Sequence, residues 1–309
     1  MPLGPSFPEL ASLDLFVSVV ELGSVSRAAA AHGVAQPSAS SRIRHLERQL
    51  GMTLLERSPT GSVPTDAGVV VAGWAEAILR SAHQLKAGLS AFQAEQVGRL
   101  RIAASFTIAE YLLPHWLGRF ARDHPSDSVA LEVANSTAVV ERVHGGTADL
   151  GFIETTSVAG DLDEQLVATD ELIAVVAPSH PWAKRRTVPV EALAATPLVT
   201  REAGSGTREA FEAALAELSL GPPTAVLELG STSAVRSAVL DGNSPTVISR
   251  LAVAAELESG SLIEIEVNDL SITRNLRAVW SRSHALPTLA AQLLDGIESW
   301  TRTTGDERN

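Results

Sequence analysis

The chain has 309 residues, 45% hydrophobic and 19% charged, enough for a module of about 60 to 90 residues and a second domain of about 200. It contains no Cys, which excludes disulfides, thiolate metal sites and thiol redox switches. No apolar run approaches the roughly 20 residues that cross a bilayer, and no basic segment precedes an apolar core at the start, so we expect a cytoplasmic protein.

The net charge of −12 argues, taken over the whole chain, against a nucleic-acid-binding protein, because phosphate affinity comes from Lys and Arg. The distribution of charge weakens that objection. Residues 1–98 hold seven basic and eight acidic residues, so most of the acidity lies beyond them. A DNA-binding module is therefore expected only in the N-terminal part.

The first predicted elements are two helices. Apolar residues from Leu13 to Val20 recur at helical spacing and stop at Gly23, a common residue at helix C-termini. Four consecutive alanines then predict a short second helix over residues 27–32, for which Ser24 and Ser26 are both candidate N-caps.

A third helix and a small β-wing are predicted next. The helix covers residues 36–50 and ends at Gly51, with an apolar back and a basic, serine-rich front. Leu54 and Leu55 begin a strand, and residues 62–64 form the returning strand after a turn over 59–61.

A long helix is predicted from Thr65 to about Val97, a stretch without proline after position 64. Apolar residues recur along it at intervals of three or four: Val71, Trp74, Ile78, Ala82, Leu85, Leu89 and Phe92. This spacing indicates a short, imperfect coiled-coil seam that joins two copies of the chain. The alternative is a helix packed on its own domain.

Beyond Arg99 short β-runs alternate with helical stretches. Strands are predicted over residues 100–105, 129–134, 149–153, 173–176, 198–200, 226–229, 246–248 and 277–280. Helices are predicted over residues 110–122, 138–144, 207–218, 234–240, 251–258 and 289–300. Such alternation predicts parallel α/β lobes that bind ligands at the carboxyl ends of their strands.

The N-terminal motifs resemble one family closely, in order and spacing. They are Leu13-Asp14-Leu15-Phe16, Gly23-Ser24-Val25-Ser26-Arg27-Ala28-Ala29, Val34-Ala35-Gln36-Pro37-Ser38, Ile43, Leu46-Glu47, Gly51, Leu54, Arg57 and Thr65-Asp66-Ala67-Gly68. The chain is similar in these positions to the LysR family of transcriptional regulators. The resemblance is tight over residues 13–68 and architectural beyond them.

The resemblance implies an α/β protein: an all-α winged helix-turn-helix with a long linker helix, then two Rossmann-like α/β lobes of the type 2 periplasmic-binding-protein kind. The implied domains are residues 1–68 for DNA binding, 69–98 for the dimerising linker helix and 99–309 for effector binding. Within the last domain, lobe 1 spans about 99–168 and 272–309, and lobe 2 about 169–271. The implied partners are double-stranded DNA, a small-molecule effector and further copies of the chain, as a homodimer that assembles into a homotetramer.

The residues assigned to DNA follow from the chemistry of a recognition helix, whose start carries short hydrogen-bonding side chains for the major groove. Gln36 can pair with adenine, whereas Arg42, Arg44 and Arg57 suit phosphates. The alternatives are N-capping for the serines and a solvated basic face for the arginines. The DNA-binding candidates are Ser24, Ser26, Gln36, Pro37, Ser38, Ser40, Ser41, Arg42, Arg44, Arg57 and Thr65.

Four positions depart from the family pattern. Ala35 stands where a capping Ser is usual, which weakens the helix start by around 1 kcal/mol unless Ser38 or water compensates. His32 replaces a common Leu, Ser41 a common Arg and Leu55 a common Phe.

Four polar stretches follow predicted strand ends and are expected to meet between the lobes. Hydroxyls and free N–H groups at helix N-termini form an anion site, although a Gly-Ser-Gly-Thr turn by itself is a weak signal. The effector-binding candidates are Ser105, Phe106, Thr107, Asn135, Ser136, Thr200, Glu202, Gly204, Ser205, Gly206, Thr207, Ser231, Thr232 and Ser233.

The run from Arg201 to Arg208 is similar to a LysR subgroup that includes regulators of sulfur assimilation and of carbon fixation. The similarity suggests a sulfur oxyanion, a carboxylate or a sugar phosphate as effector, although Ser233 replaces a Glu that is frequent in the subgroup. Arg201, Arg208 and Arg236 are the candidates to supply positive charge, with solvent or a dimer interface as the alternative for each.

The sequence gives little support for an enzyme or a secreted solute-binding protein. The chain has no phosphate-binding Gly-Lys-Ser/Thr loop, no His-Glu-x-x-His helix and no Gly-x-Ser-x-Gly elbow, so we predict no catalytic residue, metal or cofactor. A secreted solute-binding protein would lack the helix-turn-helix. The remaining alternative is a cytoplasmic small-molecule-binding protein of the periplasmic-binding-protein fold that does not regulate DNA specifically.

Overall fold

The computed structural model describes residues 7–58, 61–96, 98–155, 160–185, 187–242, 244–283 and 285–306. They form two compact units, Met1–Leu85 and Lys86–Asn309. Within the described residues no helix has the length and apolar content that a membrane span requires.

The first unit contains three short helices, a hairpin and the start of a long helix. Its elements are α1 (Leu10–Leu22), α2 (Val25–Ala31), α3 (Gln36–Leu50), β1 (Leu55–Ser58), β2 (Gly61–Pro64) and α4 (Asp66–Gln96). The strands pair antiparallel from Leu55 opposite Pro64 to Ser58 opposite Gly61. The predicted helices, the wing and the long helix are confirmed.

Helix ends in this unit follow from local chemistry. Gly23 and Gly51 adopt the left-handed conformation after α1 and α3, with φ of 63° and 71°, where a side chain would be strained. The Ser24 hydroxyl accepts the N–H of Arg27 at 3.4 Å and caps α2. The second predicted cap, Ser26, is wrong because that residue lies inside the first turn of α2.

A carboxylate ties α3 to the wing. Glu47 Oε1 accepts the backbone N–H groups of Leu54 at 2.9 Å and Leu55 at 3.2 Å. Leu54 is fully buried and belongs to the core of this unit, together with Phe16 and Leu46. Glu47 therefore satisfies two donors at the point where the chain turns from the helix into the wing.

The second unit is built on one sheet that two long strands cross. Its strands are β3 (Arg99–Ala104), β4 (Ser128–Val133), β5 (Leu150–Ile153), β6 (Leu162–Val176), β7 (Thr187–Pro189), β8 (Leu198–Arg201), β9 (Ala225–Leu229), β10 (Thr246–Ser249), β11 (Ile263–Asn268) and β12 (Ile272–Ser281). The main sheet has the order β4-β3-β5-β12-β6-β11-β7, with β10 also on β6, and β8 pairs with β9.

Helices cover these strands on both sides of the crossing. They are α5 (Phe106–Tyr111), α6 (Leu113–Asp123), α7 (Ser136–His144), α8 (Trp182–Arg185), α9 (Val190–Ala195), α10 (Gly206–Glu217), α11 (Thr232–Asp241), α12 (Ala254–Ser259) and α13 (Thr288–Asp306). We use lobe 1 for β3 to β5 with α5 to α7 and α13, and lobe 2 for β7 to β11 with α8 to α12.

The prediction of parallel sheets is wrong, because the main sheet contains both parallel and antiparallel pairs. The pairs β3–β4, β3–β5, β8–β9 and β7–β11 are parallel. In contrast, β12 runs antiparallel to β5 and β6, and β10 and β11 run antiparallel to β6. The reason is that β6 and β12 carry the chain from one lobe to the other in opposite directions.

Several boundaries differ from the prediction. β6 has 15 residues instead of four, because its first part contains polar and charged residues and is not an apolar run. The predicted helix over 110–122 is two helices separated at Leu112, where Pro114 lacks the N–H that a continuous helix needs. The predicted helix over 251–258 begins with a 3-10 turn, Arg250–Val253. α8, α9, β7 and β11 were not predicted, because they are too short or too polar to show a helical or strand periodicity.

We expect Glu47→Ala to loosen the wing. Losing both hydrogen bonds to a charged acceptor costs about 2 kcal/mol, which corresponds to roughly 30-fold faster hydrogen exchange at the amides of Leu54 and Leu55. Mass spectrometry of peptides covering residues 52–58 measures this. Glu21→Ala, at an exposed position of α1, is the control, and equal exchange in both variants would contradict the assigned role.

Candidate functional site

The front of α3 is exposed and polar. Its apolar positions Ala39, Ile43 and Leu46 are buried against α1, α2 and the wing. The exposed candidates are Gln36, Pro37, Ser38, Ser41, Arg42 and Arg44, and Ser40 is half-buried. The fold therefore presents one continuous face of the helix that combines amide, hydroxyl and guanidinium groups.

The start of α3 carries no side-chain cap, because Ala35 occupies the N-cap position. Pro37 lies in the first turn and has no N–H, so it removes one of the donors that a cap would satisfy. The remaining backbone donors at this end are available to an acceptor from outside the helix.

The other DNA-binding candidates are distributed differently. Ser24 caps α2, whereas Ser26 is exposed within it. The Thr65 hydroxyl donates to the Thr53 carbonyl at 2.8 Å and accepts the Gly68 N–H at 2.9 Å, so it caps α4. Arg57 lies on β1 opposite Ser62, and its side chain is outside the described residues.

Hydrogen bonds connect the polar stretch at the start of α7 in lobe 1 with the stretch before α10 in lobe 2. Asn135 caps α7 by accepting the Ala138 N–H at 3.0 Å, and its Nδ2 donates to the carbonyl of Ala203 at 3.4 Å. The Thr137 N–H donates to the carbonyl of Gly204 at 3.3 Å. Gly204 has a φ of +81°, a conformation that side chains disfavour. Carbonyls of lobe 2 thus occupy the N-terminus of a lobe 1 helix.

A buried ion network lies where β6 and β12 cross between the lobes. Arg274 donates through Nε and Nη2 to Asp170 Oδ2 at 2.9 and 2.7 Å, and through Nη1 to Glu154 Oε2 at 2.6 Å. Its guanidinium also donates to the hydroxyls of Thr207 at 3.0 Å and Thr107 at 3.1 Å. One arginine therefore joins the first turns of α5 and α10, one from each lobe.

Glu154 completes this network from lobe 1. Its Oε1 accepts the Thr107 N–H at 2.9 Å. Burial raises the pKa of the Glu154 carboxyl, but the charge of Arg274 and the hydrogen bonds of Ser105 and Thr107 outweigh it and hold the pKa below its ordinary value. Gly206 packs on this residue so closely that an added Cβ would lie 2.7 Å from the Glu154 carbonyl carbon.

A second buried arginine, Arg201, lies at the end of β8. It donates to the Glu202 carboxylate through Nε and Nη2 at 2.8 and 2.9 Å, and through Nη1 to the Thr232 hydroxyl at 3.0 Å. The guanidinium carbon lies 4.6 Å from the centre of the Phe106 ring, across the cleft in lobe 1.

The remaining effector candidates have mixed roles. Ser105 is buried, and its hydroxyl helps to lower the pKa of the Glu154 carboxyl. The Ser136 hydroxyl accepts the Glu154 N–H at 3.2 Å, and the Ser231 hydroxyl caps α11 with Ser233 beside it at 3.4 Å. The Thr200 hydroxyl bonds the Leu227 carbonyl at 3.4 Å, and Ser205, also buried, is the N-cap residue of α10.

Of the three arginines named from the sequence, Arg201 lies in the cleft. Arg208 pairs with Glu212 and Glu228, and Arg236 bonds Tyr111, the Ala252 carbonyl and Glu256. Sequence reasoning missed Glu154, Asp170 and Arg274. A signal existed, because Arg274 is in phase with the buried Ile272 and Leu276 of β12.

We expect Arg274→Ala to destabilise the second unit by about 3 to 5 kcal/mol, because Glu154 and Asp170 would remain buried without their partner. Urea unfolding followed by tryptophan fluorescence measures the loss. Arg282→Ala removes a largely exposed partner of Asp163 and should cost no more than about 1 kcal/mol. Similar losses in the two variants would refute a special role for the buried network.

Two family descriptions match the chain. Residues 10–69 match the "Bacterial regulatory helix-turn-helix protein, lysR family" and residues 93–302 match the "LysR substrate binding domain". An HTH-type transcriptional regulator of Mycobacterium tuberculosis is 41% identical over 311 residues, covering 97% of this chain and 99% of the relative. The HTH-type transcriptional regulator CysL of Bacillus subtilis is 32% identical over 269 residues, covering 87% and 90%.

Solved structures agree with this similarity. The regulatory domain of CcmR from Synechocystis, solved in complex with 2-PG, is 27% identical with a TM-score of 0.60, covering 66% of this chain and 97% of that domain. The winged helix-turn-helix and the two-lobed α/β unit of the periplasmic-binding-protein kind are both present. The chain therefore belongs to the LysR family of DNA-binding transcriptional regulators with a C-terminal effector-binding domain.

Proposed function

We propose that this regulator reads promoter DNA with the exposed face of α3 and that a small anion bound between lobes 1 and 2 alters that binding. The observation that carries the first part is the continuous polar face from Gln36 to Arg44, set on a helix whose back is buried. Cytoplasmic action follows from promoter binding, and we assign the chain a regulatory and not a catalytic role.

The face divides into two kinds of contact. Gln36, Ser38, Ser40 and Ser41 carry amide and hydroxyl groups that suit base edges in the major groove. Arg42 and Arg44, with Arg57 of the wing, suit phosphates, which position the protein without reading sequence. Pro37 and the uncapped backbone donors at the helix start allow close approach, while Ser24, Ser26 and Thr65 flank this face as capping or surface groups.

The second part rests on the chemistry of the cleft. Arg201 and the N-termini of α7, α10 and α11 lie where the lobes meet. Positive charge and donors of this kind favour an anion. The CcmR regulatory domain, solved in complex with 2-PG, supports a small anionic effector in this fold. Residues 99–309 would form the effector domain, with lobe boundaries near 168 and 272.

Ligand binding would act by a population shift. An effector that contacts both lobes stabilises the arrangement in which both contacts are made, and a change in lobe packing alters the spacing of the DNA-binding modules in the assembly.

Assembly is proposed through α4. Large apolar side chains remain exposed along this helix: Val70, Trp74, Leu85 and Leu89, with Trp74 67% and Leu85 66% exposed. Pairing of two α4 helices would bury them, as the seam of a coiled coil does. We propose a homodimer through the linker segment 69–98 and a homotetramer built from two such dimers.

The DNA interface is tested with Gln36→Ala combined with Arg42→Ala. Losing a base contact and a phosphate contact should cost roughly 2 to 4 kcal/mol, or about 30-fold or more in Kd, and reduce the dependence of log K on log salt by about one unit. Fluorescence anisotropy on a duplex from the region upstream of the chain's own gene measures both. Arg122→Ala, exposed on α6, is the control. An unchanged Kd, or no binding by the unaltered protein at any salt, would refute the interface.

The linker helix is tested with Trp74→Glu combined with Leu85→Glu. Each side chain should contribute about 1.5 to 3 kcal/mol when buried in a dimer, so sedimentation should show a smaller species at micromolar concentration. Leu166→Glu, at an exposed leucine of β6, should leave the assembly unchanged. Unaltered sedimentation of the double variant would contradict pairing through α4.

A further inference from the structure

The carboxylate that Arg201 holds belongs to the next residue in the chain, and the two partners differ in exposure. The Arg201 side chain is 5% exposed and the Glu202 side chain 22%. Arg201 is held in place by Thr232 and by the face of Phe106. Among the described residues, Arg201 is the side-chain partner of the Glu202 carboxylate, so rotation of Glu202 into water would break no other side-chain contact.

The charges of the cleft do not balance. Arg201 and Arg274 face three carboxylates, those of Glu154, Asp170 and Glu202. Glu154 and Asp170 are 2% and 1% exposed and are held by Arg274, and the charge of Arg201 also lowers the pKa of Glu154. An anion added to this cluster would increase an existing negative excess. Of the three carboxylates, Glu202 is the one whose departure costs least.

Departure of Glu202 would leave a buried guanidinium without a counter-charge, which is strongly unfavourable. The vacated position offers two parallel N–H donors, a geometry that matches two oxygens of one oxyanion and not a halide.

From these contacts we propose that Glu202 is an internal competitor for the effector: an oxyanion displaces the Glu202 carboxylate from Arg201 and takes its two hydrogen bonds. This proposal rests on the proposed anion site and identifies Arg201 as the residue that binds the anion. The ligand class is an oxyanion with two available oxygens, such as a carboxylate, a sulfur oxyanion or a phosphate. The exchange replaces one negative charge by another, so a singly charged group leaves the charge of the cleft unchanged.

The position of Glu202 links this exchange to lobe closure. Its backbone N–H donates to the Leu229 carbonyl at 3.3 Å, and the next two residues, Ala203 and Gly204, supply the carbonyls that clasp Asn135 and Thr137 of lobe 1. The loop that must release its carboxylate therefore also makes hydrogen bonds between the lobes.

The test is calorimetric titration of the full-length protein and its Glu202→Gln variant with acetate, sulfate, sulfite and phosphate at constant ionic strength in chloride buffer. The amide cannot form the ion pair, so at least one oxyanion should bind Glu202→Gln at least fivefold more tightly than the unaltered protein. Glu212→Gln removes the carboxylate from a comparable arginine pair on α10 and should not change affinity. Arg201→Lys combined with Glu202→Gln should bind the oxyanion at least tenfold more weakly than Glu202→Gln alone, because lysine cannot form two parallel hydrogen bonds to it.

The outcomes separate the exchange from the anion site. Equal or weaker binding by Glu202→Gln, with binding by the unaltered protein, overturns the exchange and leaves the anion site in place. Binding by Glu202→Gln only supports the exchange. No binding of any oxyanion by either protein overturns both, whereas DNA binding is measured separately. Circular dichroism checks folding, and Glu202→Ala replaces Glu202→Gln if that variant does not fold.

Discussion

Arg274 is the residue on which the arrangement of the effector unit depends. It lies on β12, where two long antiparallel strands cross between the lobes, and it is buried with two carboxylates that have no other cation within hydrogen-bonding distance among the described residues. Buried charges of this kind are tolerated only when paired and hydrogen-bonded. The same guanidinium holds Thr107 and Thr207, so the first turns of α5 and α10 are placed relative to one another by a single side chain.

Two glycines allow the lobes to approach around this network. Gly206 packs against the backbone of Glu154 at a distance no side chain would permit, and Gly204 adopts a backbone conformation that directs its carbonyl to the start of α7. Backbone carbonyls and the Glu202 carboxylate thus occupy donors that an anion would use. The Arg201 guanidinium and the start of α7 are thereby satisfied within the protein, because buried donors without acceptors would be costly.

The DNA-binding unit follows a simpler principle. Its core of Phe16, Leu46 and Leu54 fixes one side of α3, and the polar residues occupy the side left over. The carboxylate of Glu47 and the hydroxyl of Thr65 join the wing to the helices on either side. The charge of the chain is unevenly distributed, since most of the acidic excess lies beyond residue 98. DNA would repel that part of the chain.

The sequence by itself determined the helix-turn-helix, the wing and the long α4, because helix periodicity, glycine C-caps and wing turns are local features that few residues decide. α3 begins and ends at the predicted residues. The polar stretches after β3, β4, β8 and β9 were also readable, since strand ends and helix starts are local. The tertiary structure alone decided the mixed sheet, the length of β6 and the pairing of Arg274 with Asp170 and Glu154, which lie 104 and 120 residues before it in the sequence. Pairings over such separations depend on how the lobes pack, and no local pattern specifies which buried charge meets which.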